Sequence, residues 1–115
     1  MFRKAFVTWW PAVFSATVLF SIPAFAIDSN TQMKGADFST ACTRADESWV
    51  SFCNGYVQAV IDNIRDGDGV CFPNGTTRTD VVTVVEKEIT GSNRLRAMNA
   101  HEAVRSALRR FFPCR

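Results

Sequence analysis

The stretch from Ala100 to Cys114 constrains this chain most. Apolar residues recur at 100, 103, 104, 107, 108, 111 and 112, the three-and-four spacing that lays one apolar stripe along a helix. Arg105, Ser106, Arg109 and Arg110 fall on the other side. Asn99 and Glu102 are placed to form a capping box at the start, and Pro113 stops the helix. Helical stability in a protein comes mostly from packing an amphipathic face, so the rest of the chain must supply a surface for this one. Cys114 follows directly and is positioned to tie the helix end to that surface.

The beginning of the chain reads differently. Arg3 and Lys4 precede a run from Ala12 to Phe20 that is apolar apart from Ser15 and Thr17, and Ala24-Phe25-Ala26 has the small-residue form of a signal-peptidase site. Residues 1–26 are therefore expected to be a secretory signal peptide cleaved after Ala26. The apolar run is short for a membrane span, which needs about 20 residues. Residues 27–115 are expected to form a single domain. Removing the leader takes away two of the thirteen basic residues, leaving eleven against eleven acids. Residues 27–88 hold ten of those acids, whereas residues 89–115 hold one acid and six bases. Export argues against nucleic acid as the partner of this basic end, and a helix face beside its own acidic half accounts for it.

The four cysteines, Cys42, Cys53, Cys71 and Cys114, all follow the leader. An even count in an exported chain points to disulfides. A domain of this size buries only about 60% of its unfolded surface, so two bridges of about 2–4 kcal/mol each carry a large share of its stability.

Helical periodicity continues upstream. Residues 36–43 are expected to form a short helix with Phe38 and Cys42 on one face. Trp49, Phe52, Cys53, Tyr56, Val57, Val60, Ile61 and Ile64 mark a second helix, with Asp46 as its cap and Gly55 as a site of close helix contact. The loop Asp66-Gly-Asp-Gly69 ends it. Thr77 is placed to cap a third helix. Its run Val81-Val-Thr-Val-Val85 has strand propensity, but 81, 84, 85 and 89 share a helical face and no second strand-like run exists to pair with it. Gly91 suits the helix end, and residues 92–98 lead into the final helix with one turn of their own. The expected fold is all-α: a small disulfide-stapled bundle of three main helices plus a short N-terminal helix. A short connection makes the last two helices antiparallel, which brings Cys71 to Cys114 and leaves Cys42 for Cys53. In one continuous helix the latter pair would lie about 16 Å apart at 1.5 Å per residue. A bond needs about 7 Å, so the chain must turn near Arg44–Asp46.

The catalytic inventory is thin. His101 is the only histidine and lies beside the apolar stripe. No paired histidine or cysteine set gives a zinc site, and there is no Cys-x-x-Cys. Asp66 and Asp68 open like a calcium loop, but Val70 and Thr77 occupy positions that need ligands. Glycines 67, 69 and 75 have neither the spacing nor the lysine of a phosphate loop. The residues describe an exported domain with no cofactor, no metal and no active site, whose work is binding another macromolecule.

One pattern is more specific. Cys53-Asn-Gly-Tyr-Val57, then Asp62, then Cys71-Phe-Pro73, then Ala100-x-x-Ala-Val104-x-x-Ala-Leu108-x-x-Phe-Phe-Pro-Cys114 resembles the type VI secretion amidase immunity family, also called the Tai family. The resemblance covers roughly residues 48–114. The chain departs from it at Ala59, where the family often has glycine, and at Ile89-Thr-Gly-Ser92, where it tends to have a His-Pro pair. The resemblance implies a periplasmic, non-enzymatic, disulfide-bonded helical protein, often dimeric. Its partner would be a secreted peptidoglycan amidase toxin, inhibited by covering its cleft. Gly55, Tyr56, Asp62 and Pro73 then act as scaffold. The candidate contact residues are Arg65, Asp66 and Asp68 in the acidic loop, and Ser92, Asn93, Arg94 and Arg96 in the connection before the last helix. Two other readings compete. One is a periplasmic domain of the same fold with a non-toxin partner or a stress-holding role. The other is an enzyme, which would need His101 and a carboxylate in one cleft.

Overall fold

The computed structural model describes residues 32–115. The leader and its cleavage site fall on residues 1–26, outside the described residues. Among the described residues the domain is all-α, with five helices and two disulfides. These helices are α1 (Gly35–Cys42), α2 (Glu47–Asp62), α3 (Arg78–Thr90), α4 (Asn93–Ala97) and α5 (Ala100–Phe111). No helix among the described residues is long and apolar enough to cross a membrane.

The core explains the order of the elements. Ala100, Ala103, Val104, Ala107 and Leu108 of α5 are buried, and α3 packs against it with Val81, Val85 and Ile89. Phe38 of α1, Val57 and Val60 of α2 and Leu95 of α4 complete the same cluster. The five β-branched residues of α3 are helical because burial of every third or fourth side chain outweighs their local strand preference. Thr77 caps that helix: its hydroxyl accepts from the Asp80 N–H at 3.2 Å, and the Asp80 carboxylate accepts from the Thr77 N–H at 3.1 Å.

Several local expectations are corrected. The turn expected before α5 is a short helix, α4, which adds a fifth helix to the four expected; Ser92 caps it, its hydroxyl accepting from the Leu95 N–H at 3.3 Å. Asp46 stands at the start of α2, but its carboxylate pairs with Arg44 at 3.0 Å and caps nothing. Asn99 stands at the start of α5 without capping it, because its side-chain oxygen accepts from Lys34 Nζ at 3.0 Å. Phe111 is 45% exposed, although its spacing continues the apolar stripe, because the helix ends there and projects past the core. Gly55 is not a close helix contact either. It is exposed, and a Cβ placed on it meets nothing within 4 Å.

The tight glycine is Gly35. A Cβ there would lie 2.1 Å from the Leu95 carbonyl oxygen, so only glycine lets α1 start against α4. The junction is sewn by backbone bonds: the Gly35 N–H donates to Met98 O and the Ala100 N–H to Met33 O, each at 2.8 Å. The Ser39 and Thr90 hydroxyls, 2.6 Å apart, join α1 to the end of α3.

At the other end of α5, Cys71 and Cys114 are bonded with Cα atoms 4.9 Å apart. The Cys71 N–H donates to Phe112 O at 2.7 Å, and the Cys114 N–H donates to Gly69 O at 3.3 Å. The second disulfide joins Cys42, at the end of α1, to Cys53 in α2 across the turn at residues 43–46, with Cα atoms 5.6 Å apart.

Candidate functional site

The loop after α2 is shaped by two left-handed glycines, Gly67 at φ 95° and Gly69 at φ 78°. These turn the chain back so that Asp68 points toward α5. The Asp68 carboxylate accepts from the Arg65 N–H at 2.7 Å and pairs with the Arg105 guanidinium at 3.1 Å. The Arg65 backbone bond, above all, holds the Asp68 carboxyl below its usual range. Partial burial opposes this, and the charges of Arg105 and Arg109 add to it. Arg65 and Asp66 are exposed on the same loop.

The sign of this shift gives a pH prediction. With its folded value depressed, Asp68 contributes stability above the unfolded carboxylate range and loses it as pH falls through the folded value. An Asp68→Asn variant should be less stable than the native chain at neutral pH and should show a shallower loss of stability toward acid. Urea unfolding from neutral pH to below the carboxylate range reads both effects, and superposable curves for the two proteins would contradict the assignment.

The other candidate contact residues sit elsewhere. Ser92 is committed to capping α4, and an Arg94 guanidinium N–H donates to the Met98 sulfur at 3.5 Å. Asn93 and Arg96 are exposed. The Asp68 loop meets α5 at Arg105, midway along that helix of 12 residues, whereas α4 leads into its first turn, so the two candidate loops approach different parts of it.

The motif residues are dispersed along α2 and the following loop. Tyr56 is half-buried between Phe38 and Phe52, with ring centroids at 5.4 and 5.8 Å, and burial pushes its hydroxyl up. Asp62 is exposed and accepts from Gln58 Nε2 at 2.8 Å. Pro73 is exposed and builds the turn before α3, its carbonyl accepting from the Thr76 N–H and hydroxyl. Gly55 lies on the open face of α2.

His101 lines a surface cavity with Gln32, Met33, Tyr56 and Asn99. Its Nε2 is 4.0 Å from Glu102 Oε1, and both side chains are about half exposed. All four cysteines are bonded. The cavity thus holds an imidazole and a phenol but no thiol to activate.

Sequence reasoning missed the aromatic end of the molecule. Phe72 packs on Phe112 with centroids 5.0 Å apart, and both Phe72 and Phe111 remain exposed. The signal was present in the residues, since Phe111 and Phe112 flank the stop at Pro113, where a helix face has no more core to meet.

A family model described as Rap1a immunity proteins matches residues 34–114. No curated protein and no solved structure matches the chain significantly. The matched span contains all five helices and both disulfides. The chain therefore belongs to the Rap1a immunity proteins, a non-enzymatic family of toxin inhibitors and the one its Cys-x-Gly-Tyr and Phe-Pro-Cys motifs resemble.

Proposed function

We propose that this protein protects its cell in the periplasm by binding a type VI secretion amidase and covering the amidase's active-site cleft. The family match over residues 34–114 is the single observation that carries the reading. Three features support it. Two disulfides suit an oxidising compartment. The leader-like residues 1–26 suit export. Bonding of all four cysteines suits a protein that works as a rigid plug and performs no chemistry.

Occlusion needs an exposed, pre-shaped surface. Two loops offer one: Arg65, Asp66 and Asp68 after α2, and Ser92, Asn93, Arg94 and Arg96 around α4. One meets α5 at Arg105 and the other precedes its first turn, so an interface touching both would have to run along that helix. A standard partner surface of about 800 Å² is large enough for that. Tyr56, packed between Phe38 and Phe52, and Pro73, in the turn into α3, serve this surface as scaffold, whereas Gly55 and Asp62 lie exposed on α2.

The test is protection in cells. The amidase of the producing organism, directed to the periplasm of a sensitive host, lyses that host. Co-expression of the full chain should restore growth, whereas a version lacking residues 1–26 should not. Lysis undiminished by the full chain would count against the reading. Light scattering on the purified complex then counts the copies of each chain, including a homodimer of this one.

A further inference from the structure

Among the described residues, the exposed large apolar side chains are Val50, Phe72 and Phe111. Phe72 and Phe111 lie at one end of the molecule, where Cys71–Cys114 clamps the loop before α3 to the end of α5. Phe72 stacks on Phe112, the residue next to Phe111. Arginines frame this aromatic cluster. The Arg110 guanidinium is 6.0 Å from the Phe111 ring centroid and stays 71% exposed while it pairs with Glu88. Arg65 and Arg109 are exposed and make no ion pair within 4 Å with any described residue, although the charge of Arg109 reaches Asp68. Asp68 itself is already engaged by Arg105.

Phenylalanine and arginine are the residue types that anchor protein interfaces, and here they are concentrated on one rigid corner. The disulfide and two backbone bonds hold that corner in place before any partner arrives, so binding orders little. Its unpaired charges are Arg65, Arg109 and the exposed Asp66 of the same loop, so its net unpaired charge is positive. Complementarity then fixes the partner: a protein face with an apolar pocket for the rings and carboxylates around its rim.

We infer that this arginine–aromatic corner is the anchor by which the protein docks on its toxin, and that the toxin surface it meets is acidic. The inference rests on the amidase-inhibitor reading above. Of the two candidate loops, only the one carrying Arg65 is continuous with the corner.

The experiment measures affinity between the chain from Ile27 onward and the purified type VI amidase of the cell that makes it. Compared with the native chain are Phe111→Ser, Arg109→Ala, their double variant, and Val50→Ser as an exposed apolar control on α2. The double variant should bind at least about 100-fold more weakly, with each single variant intermediate and the control unchanged. Association by the native chain should slow as salt is raised. Thermal unfolding of every variant should stay cooperative and close to that of the native chain, because none of the substituted side chains is buried. Native-level binding by the double variant would overturn the docking corner and leave the immunity reading standing. An amidase that the native chain itself does not bind would overturn both.

Discussion

Replacing Gly35 by alanine should destabilise the domain by more than about 3 kcal/mol, at the severe end of overpacking effects. The new Cβ would lie 2.1 Å from the Leu95 carbonyl oxygen, 3.0 Å from its carbon and 3.1 Å from the Arg96 Cα. All three are backbone atoms, so no side-chain rotation relieves the clash. Moving α1 away instead would break the Gly35–Met98 hydrogen bond and lift Phe38, which is fully buried, out of the core. Urea unfolding measures the loss as a lower midpoint. The opposite sign is expected at Gly55. A methyl group there meets nothing within 4 Å, and alanine should stabilise α2 by about 1 kcal/mol through helix propensity. A Gly35→Ala variant as stable as the native chain would mean that α1 and α4 do not approach as described.

The second large effect concerns the disulfides. Replacing Cys71 and Cys114 by serine frees a loop with a sequence separation of 43, whereas replacing Cys42 and Cys53 frees one of 11. Loop-closure entropy then assigns about 4 kcal/mol to the first bridge and about 3 kcal/mol to the second. A domain this small has a total stability of only about 4–12 kcal/mol, so loss of the first should leave it close to unfolding. The two bridges also differ in setting. Cys53 is buried in α2, whereas Cys71 and Cys114 are exposed. Mild reduction should therefore open Cys71–Cys114 first. Mass spectrometry after timed alkylation reads the order, and circular dichroism reads the loss of structure. Earlier opening of Cys42–Cys53 would contradict the burial difference.

The helices that were legible in the sequence are those whose burial repeats. Val81, Val85 and Ile89 mark α3 despite its β-branched run, and Ala100, Ala103, Val104, Ala107 and Leu108 mark α5. Five residues are too few to show a period, so α4, with Leu95 as its one buried residue, was legible only as a turn in the connection. The approach of Gly35 to Leu95 leaves no local mark, because the atoms that require glycine come from a distant part of the chain. Caps fail for a related reason. Asp46 and Asn99 have the right chemistry in the right place, but Arg44 and Lys34 engage their side chains first.

The candidate site was legible only in part. The acidic loop was visible from its composition, but the commitment of Asp68 to Arg105 depends on how the glycine turn aims it at α5. Phe111 was counted with the apolar stripe because periodicity does not register where the core ends. The identity of the family came from motif order and spacing, and the family match covers the same region.

Inhibition of an amidase by direct binding can be measured with two purified proteins. The most direct test adds the purified chain from Ile27 onward to the producing cell's purified amidase and follows hydrolysis of cross-linked peptidoglycan fragments. Hydrolysis should fall in proportion to added protein, stop at a fixed stoichiometric ratio, and return when the Phe111→Ser, Arg109→Ala double variant is used at the same concentration. Hydrolysis that continues at full rate with the native chain in large excess would contradict inhibition by direct binding.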